Sequence, residues 1–130
     1  MLIETPKAQV SKSKEETFNF LNDLSNFRQL MPENIDKFEV LNENRFLFAL
    51  KGMPEIVLEK KDQTPFNQLV LGAASEKLPF TLTANIEEIE SAKSEVVLSF
   101  TGEFNAMMAM MIKKPITNFV NTLSTNLEKI

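Results

Sequence analysis

The chain contains no cysteine, histidine, tyrosine or tryptophan. Without cysteine there are no disulfides, no thiolate metal ligands and no thiol nucleophile. Without histidine, the commonest general base and the commonest metal ligand are also missing. Acid–base chemistry would fall to Asp, Glu, Lys, Arg, Ser or Thr, which disfavours an enzyme. Arginine occurs only at Arg28 and Arg45, and the net charge is −4. Nucleic-acid binders present a basic face with arginine forks, so no nucleic-acid partner is expected. There is no Gly-rich phosphate loop, zinc spacing or catalytic triad, and neither a cofactor nor a metal site is expected. The opening MLIETPKAQV lacks the basic and apolar regions of a signal peptide. Together with the missing cysteines, this predicts a cytoplasmic protein. The uncharged run Phe104 to Ile112 is far shorter than the roughly 20 residues a spanning helix needs, so no stable membrane insertion is expected.

What is present suffices for a core. The 130 residues are expected to form one domain, 1–130, with no repeat or linker. A chain of this size buries about two-thirds of its unfolded surface. The last quarter, FNAMMAMMIKKPITNFVNTLSTNLEKI, places Met108, Ile112, Ile116, Phe119, Leu123, Leu127 and Ile130 at helical spacing. That is one continuous apolar stripe on an α-helix, and Lys113, Lys114, Asn118, Asn121, Thr125 and Glu128 take the other side. Pro115 interrupts the helix, removing a hydrogen bond and crowding the preceding turn at about 3 kcal/mol or more. Either a kink near Met111 to Pro115 is expected, or two helices with Pro115 in the first turn of the second. Met107, Met108, Met110 and Met111 precede it; such flexible side chains suit core gaps and adaptable ligand walls alike.

Leu2 to Val10 reads as a strand, with Pro6 marking an edge or a bulge. Ser13 and Glu16 form a capping box, starting a helix with Thr17, Phe18, Leu21 and Leu24 on its apolar face. Ser25 and Asn26 are expected to cap a second short helix from Phe27 to Leu30 or Met31, which Pro32 ends. From Ile35 to Glu103 the period changes to two. Phe38 and Val40, then Phe46, Phe48 and Leu50, Ile56 and Leu58, and Leu69, Leu71 and Ala73 mark successive strands. Turns are expected at Asn42 to Asn44, Gly52 to Pro54 and Asp62 to Asn67, with a loop at Ser75 to Pro79. Phe80, Leu82, Ala84 and Ile86, then Val96, Leu98, Phe100 and Phe104, carry the clearest alternation. One dry face and one wet face indicate an antiparallel sheet covered on a single side. With a long terminal helix, this predicts an α+β fold.

This order (strand, two short helices, six strands, long helix) resembles the helix-grip fold of the START-related superfamily (SRPBCC). That superfamily includes polyketide cyclase-like, birch-pollen-allergen-like and CoxG-like proteins. The matching stretches are SKEETFNFLNDLSNFRQLMP, Ser13 to Pro32, then the Phe80 to Phe104 hairpin and the C-terminal helix. Phe18, Phe20, Leu21, Asn26, Leu30 and Pro32 resemble the family's first helices, which end at a proline near the cavity mouth. The resemblance implies a curved seven-stranded antiparallel sheet wrapped around the long C-terminal helix, with two short helices after the first strand. It also implies a cavity for lipids, sterols, polyketides, hormones or quinones; some members are enzymes. The chain is short for the family, so a small cavity and one filled by its eleven phenylalanines are both open.

A pocket between sheet and helix would be lined by the inward residues Phe27, Met31, Phe46, Phe48, Leu50, Leu58, Leu82, Leu98, Phe100, Met108, Met111 and Ile112. The alternative is that they simply touch one another as core. Gly52-Met53-Pro54 and Ser75 to Pro79 are candidate rims. Glu87, Glu88 and Glu90 are the densest carboxylates, yet alternate along a strand and converge only if a bulge intervenes. Arg45 suits an anionic head or, more simply, a surface ion pair. Lys113 and Lys114 are too few for stable membrane attachment. Three functions are consistent with this reading. The first is non-catalytic binding of a small hydrophobic molecule, lipid-, polyketide- or quinone-like. The second is a cyclase- or hydrolase-like enzyme using carboxylates or lysines in the same cavity, and the third an interaction domain with a filled core. The outer sheet face is expected to be polar, through Thr81, Thr83, Glu87, Glu95 and Ser99.

Overall fold

A computed structural model describes residues 1–75 and 79–130. Of the loop expected at Ser75 to Pro79, the stretch Glu76 to Leu78 lies outside the described residues. The period-two alternation becomes an antiparallel sheet of β1 (Leu2–Glu4), β2 (Ala8–Val10), β3 (Ile35–Asn42), β4 (Arg45–Leu50), β5 (Ile56–Thr64), β6 (Gln68–Ala73), β7 (Phe80–Glu90) and β8 (Lys93–Gly102). The strand order is β1-β8-β7-β6-β5-β4-β3, with β2 also paired to β8. Because β1 and β2 lie in line along β8, from Leu2 opposite Thr101 to Val10 opposite Ser94, the eight strands fill seven positions.

The single strand expected from Leu2 to Val10 is thus interrupted around Pro6, which has no N–H for the ladder. Thr5 bridges the gap: its N–H donates to the Leu98 carbonyl and its Oγ1 accepts from the Leu98 N–H, both at 3.0 Å. Register shifts at Ile35/Lys37, Val40/Asn42, Lys60/Asp62 and Glu88/Glu90 mark bulges, which bend and twist a sheet. On the outer face, Thr81, Thr83, Glu95 and Ser99 are half-buried and Glu87 is exposed, so this face carries the expected polar side chains.

The capping box forms as its spacing predicts. Ser13 Oγ accepts from the Glu16 N–H at 3.1 Å, and Glu16 Oε1 accepts from the Ser13 N–H at 3.2 Å, opening α1 (Lys14–Asn22). The donor on the Ser13 backbone, followed by the Ser13 hydroxyl, holds the Glu16 carboxyl below its usual range. Ser13→Ala is expected to cost about 1 kcal/mol in urea denaturation, as loss of a helix cap does. In the same variant the Glu16 carboxyl should titrate closer to an ordinary glutamate. A lowered carboxyl stabilises the fold above its unfolded-state pKa, and that contribution fades as pH falls through the folded value. The gap between wild type and Ser13→Ala should therefore narrow in acid.

The second helix is a 3-10 helix from Leu24 to Leu30, beginning three residues earlier than expected. Its cap is Asp23 rather than Ser25 or Asn26: Asp23 Oδ1 accepts from the Ser25 N–H at 3.1 Å and its hydroxyl at 2.6 Å. Phe27 and Leu30 turn inward from it. Thr17 on α1 and Ser94 on β8 share a buried hydroxyl contact of 2.8 Å, and Ser94 also donates to the Lys12 carbonyl at 3.0 Å.

The C-terminal stripe becomes α2 (Ala106–Leu127), one helix that runs through Pro115 instead of dividing there. Ile116, Phe119, Val120, Leu123 and Leu127 are buried in the same cluster as the inward residues of the sheet. The Phe119 ring stacks on Phe48 at 4.8 Å and 6°. Asn126 donates to the Leu30 carbonyl at 2.9 Å, and Glu128 accepts from the Gln9 N–H at 3.1 Å. Apolar packing and polar ties together hold the second half of the helix to β2, the 3-10 helix and the sheet.

Candidate functional site

The first half of α2 sits differently. Met107, Met110 and Met111 are 75%, 83% and 68% exposed, while Met108 and Ile112 are half-buried. The chain reaches this half by a sharp departure from the sheet. β8 stops at Gly102, and Phe104, expected on the strand, folds back so that its ring stacks near Phe100 at 6.4 Å. A Cβ at residue 102 would lie 2.5 Å from the Phe104 ring and 3.0 Å from Phe80 Cβ. Glycine therefore permits the approach. Asn105 Oδ1 then accepts from the Met108 N–H at 2.8 Å and starts the helix.

Between this raised half of α2 and the sheet lies an apolar cavity of about 260 Å³. Its floor is Ile56, Phe80 and Phe100, its roof Met108, Met111, Ile112 and Ile116, and its sides Phe104 and the Gly52-Met53-Pro54 turn. None of the lining residues is titratable. Phe80 and Phe100 stack at 5.0 Å and form a continuous aromatic surface. A second hollow of about 530 Å³ adjoins it, sharing Gly52, Met53 and Met111.

Of the residues expected to line a pocket, Phe100, Met108, Met111 and Ile112 border the cavity, and Leu50 borders the adjoining hollow. Phe27, Phe46, Phe48, Leu58, Leu82 and Leu98 face inward as expected but belong to the packed interior, at 0–5% exposure. Met31 is half-buried against the same core. The reason is where the helix sits: its second half and the 3-10 helix fill the middle of the sheet, as the stacking of Phe27 on Phe46 at 5.2 Å illustrates. The Gly52-Met53-Pro54 turn is a rim, as expected. Ile56, Phe80, Phe104 and Ile116 were not in the expected lining. Ile56 and Phe80 share the inward parity of Leu58 and Leu82, a signal sufficient to find them.

Of the charged candidates, Lys114 borders the adjoining hollow and the others lie elsewhere. Arg45 makes a surface ion pair with Glu59 at 2.8 Å, and Lys61 reaches the same carboxylate at 2.6 Å. The hydrogen bond from Lys61, with the charge of Arg45 behind it, holds the Glu59 carboxyl below its usual range. Glu87, Glu88 and Glu90 are exposed; the bulge at Glu88/Glu90 exists, yet no group able to hold a metal ion forms among the described residues. No helix among the described residues is long and apolar enough to cross a membrane.

A bent antiparallel sheet with two short helices after its first edge strand and a long C-terminal helix laid across its inner face is shared with solved structures. XoxI from Bacillus cereus superimposes with a TM-score of 0.74 over 98% of this chain and 93% of its own, at 12% identity. A START superfamily protein from Mycobacterium smegmatis gives 0.74 over 98% and 94%, at 12% identity. The fold is the START-related helix grip. Norcoclaurine synthase from Thalictrum flavum, a point mutant in complex with a transition-state analogue, has it too, with a TM-score of 0.72 over 99% and 94% at 8% identity. No family model matches the chain, and no curated protein matches it in sequence. In helix-grip terms, the cavity lies between the sheet and the gripped helix, at the end where β8 passes into α2.

Proposed function

We propose that this protein, as a single cytoplasmic domain, binds a small hydrophobic molecule in the cavity beneath the first half of α2, without catalysing a reaction on it. The observation that carries this reading is a cavity of about 260 Å³ walled by Ile56, Phe80, Phe100, Phe104, Ile112 and three methionines, with no acid or base among them. Ligand sites are concave and mostly apolar, and no carboxylate or lysine lines the cavity itself, where a group acting on the enclosed part of a substrate would have to stand. The empty volume also favours binding over an interaction domain with a filled core. Methionine walls adapt to varied apolar shapes, which suits lipid-, polyketide- or quinone-like guests. The norcoclaurine synthase that shares the fold is in complex with a transition-state analogue, in keeping with ligand binding by this fold.

Native mass spectrometry of the protein purified from its own cells should reveal a bound species of defined mass. Titration with decanol, followed by calorimetry, should show saturable one-to-one binding. A protein that carries nothing from its cells and gives no binding heat with decanol would overturn the reading.

A further inference from the structure

We infer that the ligand is an amphipathic anion, its hydrocarbon part in the apolar cavity and its charged head in the adjoining hollow at Lys51 and Lys114. This inference rests on the binding reading above and names the ligand class. The apolar cavity and the larger hollow adjoin at Gly52, Met53 and Met111, which line both. A molecule with its tail in the cavity that extends past these three residues would place its other end in that hollow. The hollow differs in character from the cavity. Lys51, Lys114, Asn34, Asn118 and Thr122 line it, and it has no Asp or Glu in a chain whose net charge is −4. The local sign of charge is reversed where a headgroup would lie.

Both lysines are available to it. Among the described residues, the ion pairs use Lys7, Lys37, Arg45 and Lys61, and neither Lys51 nor Lys114 makes one. They come from different elements, Lys51 from the turn after β4 and Lys114 from α2 just before Pro115. A head seated between them would join the helix to the rim on which the cavity opens. An ammonium on a flexible stem recognises a carboxylate as a point charge, with the Asn118 amide alongside as a neutral donor. At exposed sites each charge pair is worth up to about a five-fold change in affinity, and salt screens it.

The test compares three probes with the same chain and different heads: decanoate, decanol and decylammonium. Each is titrated calorimetrically into the full chain at low and high ionic strength. At low salt, decanoate should bind roughly ten-fold more tightly than decanol, with decylammonium weakest, and high salt should remove the difference. In K51Q/K114Q, decanoate should fall to the affinity of decanol while decanol is unchanged, and an unaltered melting temperature would confirm the fold. Equal binding of decanoate and decanol would overturn the anionic head and leave hydrophobic binding standing. A decanoate preference that survives in the double variant would overturn the placement of the head at Lys51 and Lys114. Failure of all three probes to bind would remove the binding reading itself, and this inference with it.

Discussion

Phe46→Ala is expected to lower the unfolding free energy by roughly 3–5 kcal/mol, the range for truncating a buried aromatic in a packed core. Phe46 is 0% exposed, with ring neighbours Phe27 at 5.2 Å, Phe38 at 5.4 Å and Phe48 at 6.0 Å. These rings come from the 3-10 helix, β3 and β4. They are anchored on separate elements, so they cannot all move into the vacated space. The residual void then adds its own cost to the lost transfer free energy. Urea denaturation of Phe46→Ala beside Leu47→Ala provides the check. Leu47 is the half-buried neighbour on the opposite face of β4, and its truncation should cost clearly less. A Phe46→Ala loss below about 1 kcal/mol would mean that the inner face of the sheet is not packed as described.

Ile112→Trp is expected to abolish most hydrophobic binding while leaving the fold intact. Ile112 roofs the cavity from the raised half of α2, whose neighbours Met110 and Met111 are largely solvent-exposed. An indole there can enter the cavity of about 260 Å³ without displacing the buried cluster formed by the second half of the helix. Each buried methylene of a ligand is worth about 0.8 kcal/mol. Excluding three or four of them weakens affinity on the order of 100-fold. Calorimetric titration of decanol into wild type and variant measures this, alongside a thermal melt. Unchanged affinity in a folded Ile112→Trp protein would place the binding site away from this cavity. The two substitutions act on opposite parts of one layer: Phe46 where helix and sheet are in full contact, Ile112 where they part.

Much of the architecture can be read along the chain because its causes are local. Ser13 and Glu16 satisfy each other's backbone donors within one turn, so their spacing alone reports the start of α1. Phe80, Leu82, Ala84 and Ile86 face inward because strand side chains alternate with a period of two. Leu123 and Leu127 face the sheet because helical neighbours recur at three and four residues. The boundaries that were missed also have local causes, but competing ones. Asp23 displaced Ser25 as a cap, and Phe104 kept the parity of β8 after the strand had ended at Gly102.

The sequence by itself determined the class of fold, the inward face of β4 to β8 and the stripe of α2, since periodicity and capping depend only on near neighbours in the chain. Val40, read with Phe38 as inward, is exposed beside the bulge at Val40/Asn42. It also determined that any chemistry here must do without histidine and cysteine. Tertiary structure alone decided which inward residues became core and which became cavity wall. That choice depends on the height of α2 above the sheet. The fold-back of Phe104 over Gly102 is a local turn, but the stacking of Phe119 on Phe48, which docks the second half of α2, joins residues that no spacing along the chain relates. The same docking brings Lys51 and Lys114 to one hollow, joining residues from a strand turn and a helix beside the apolar cavity.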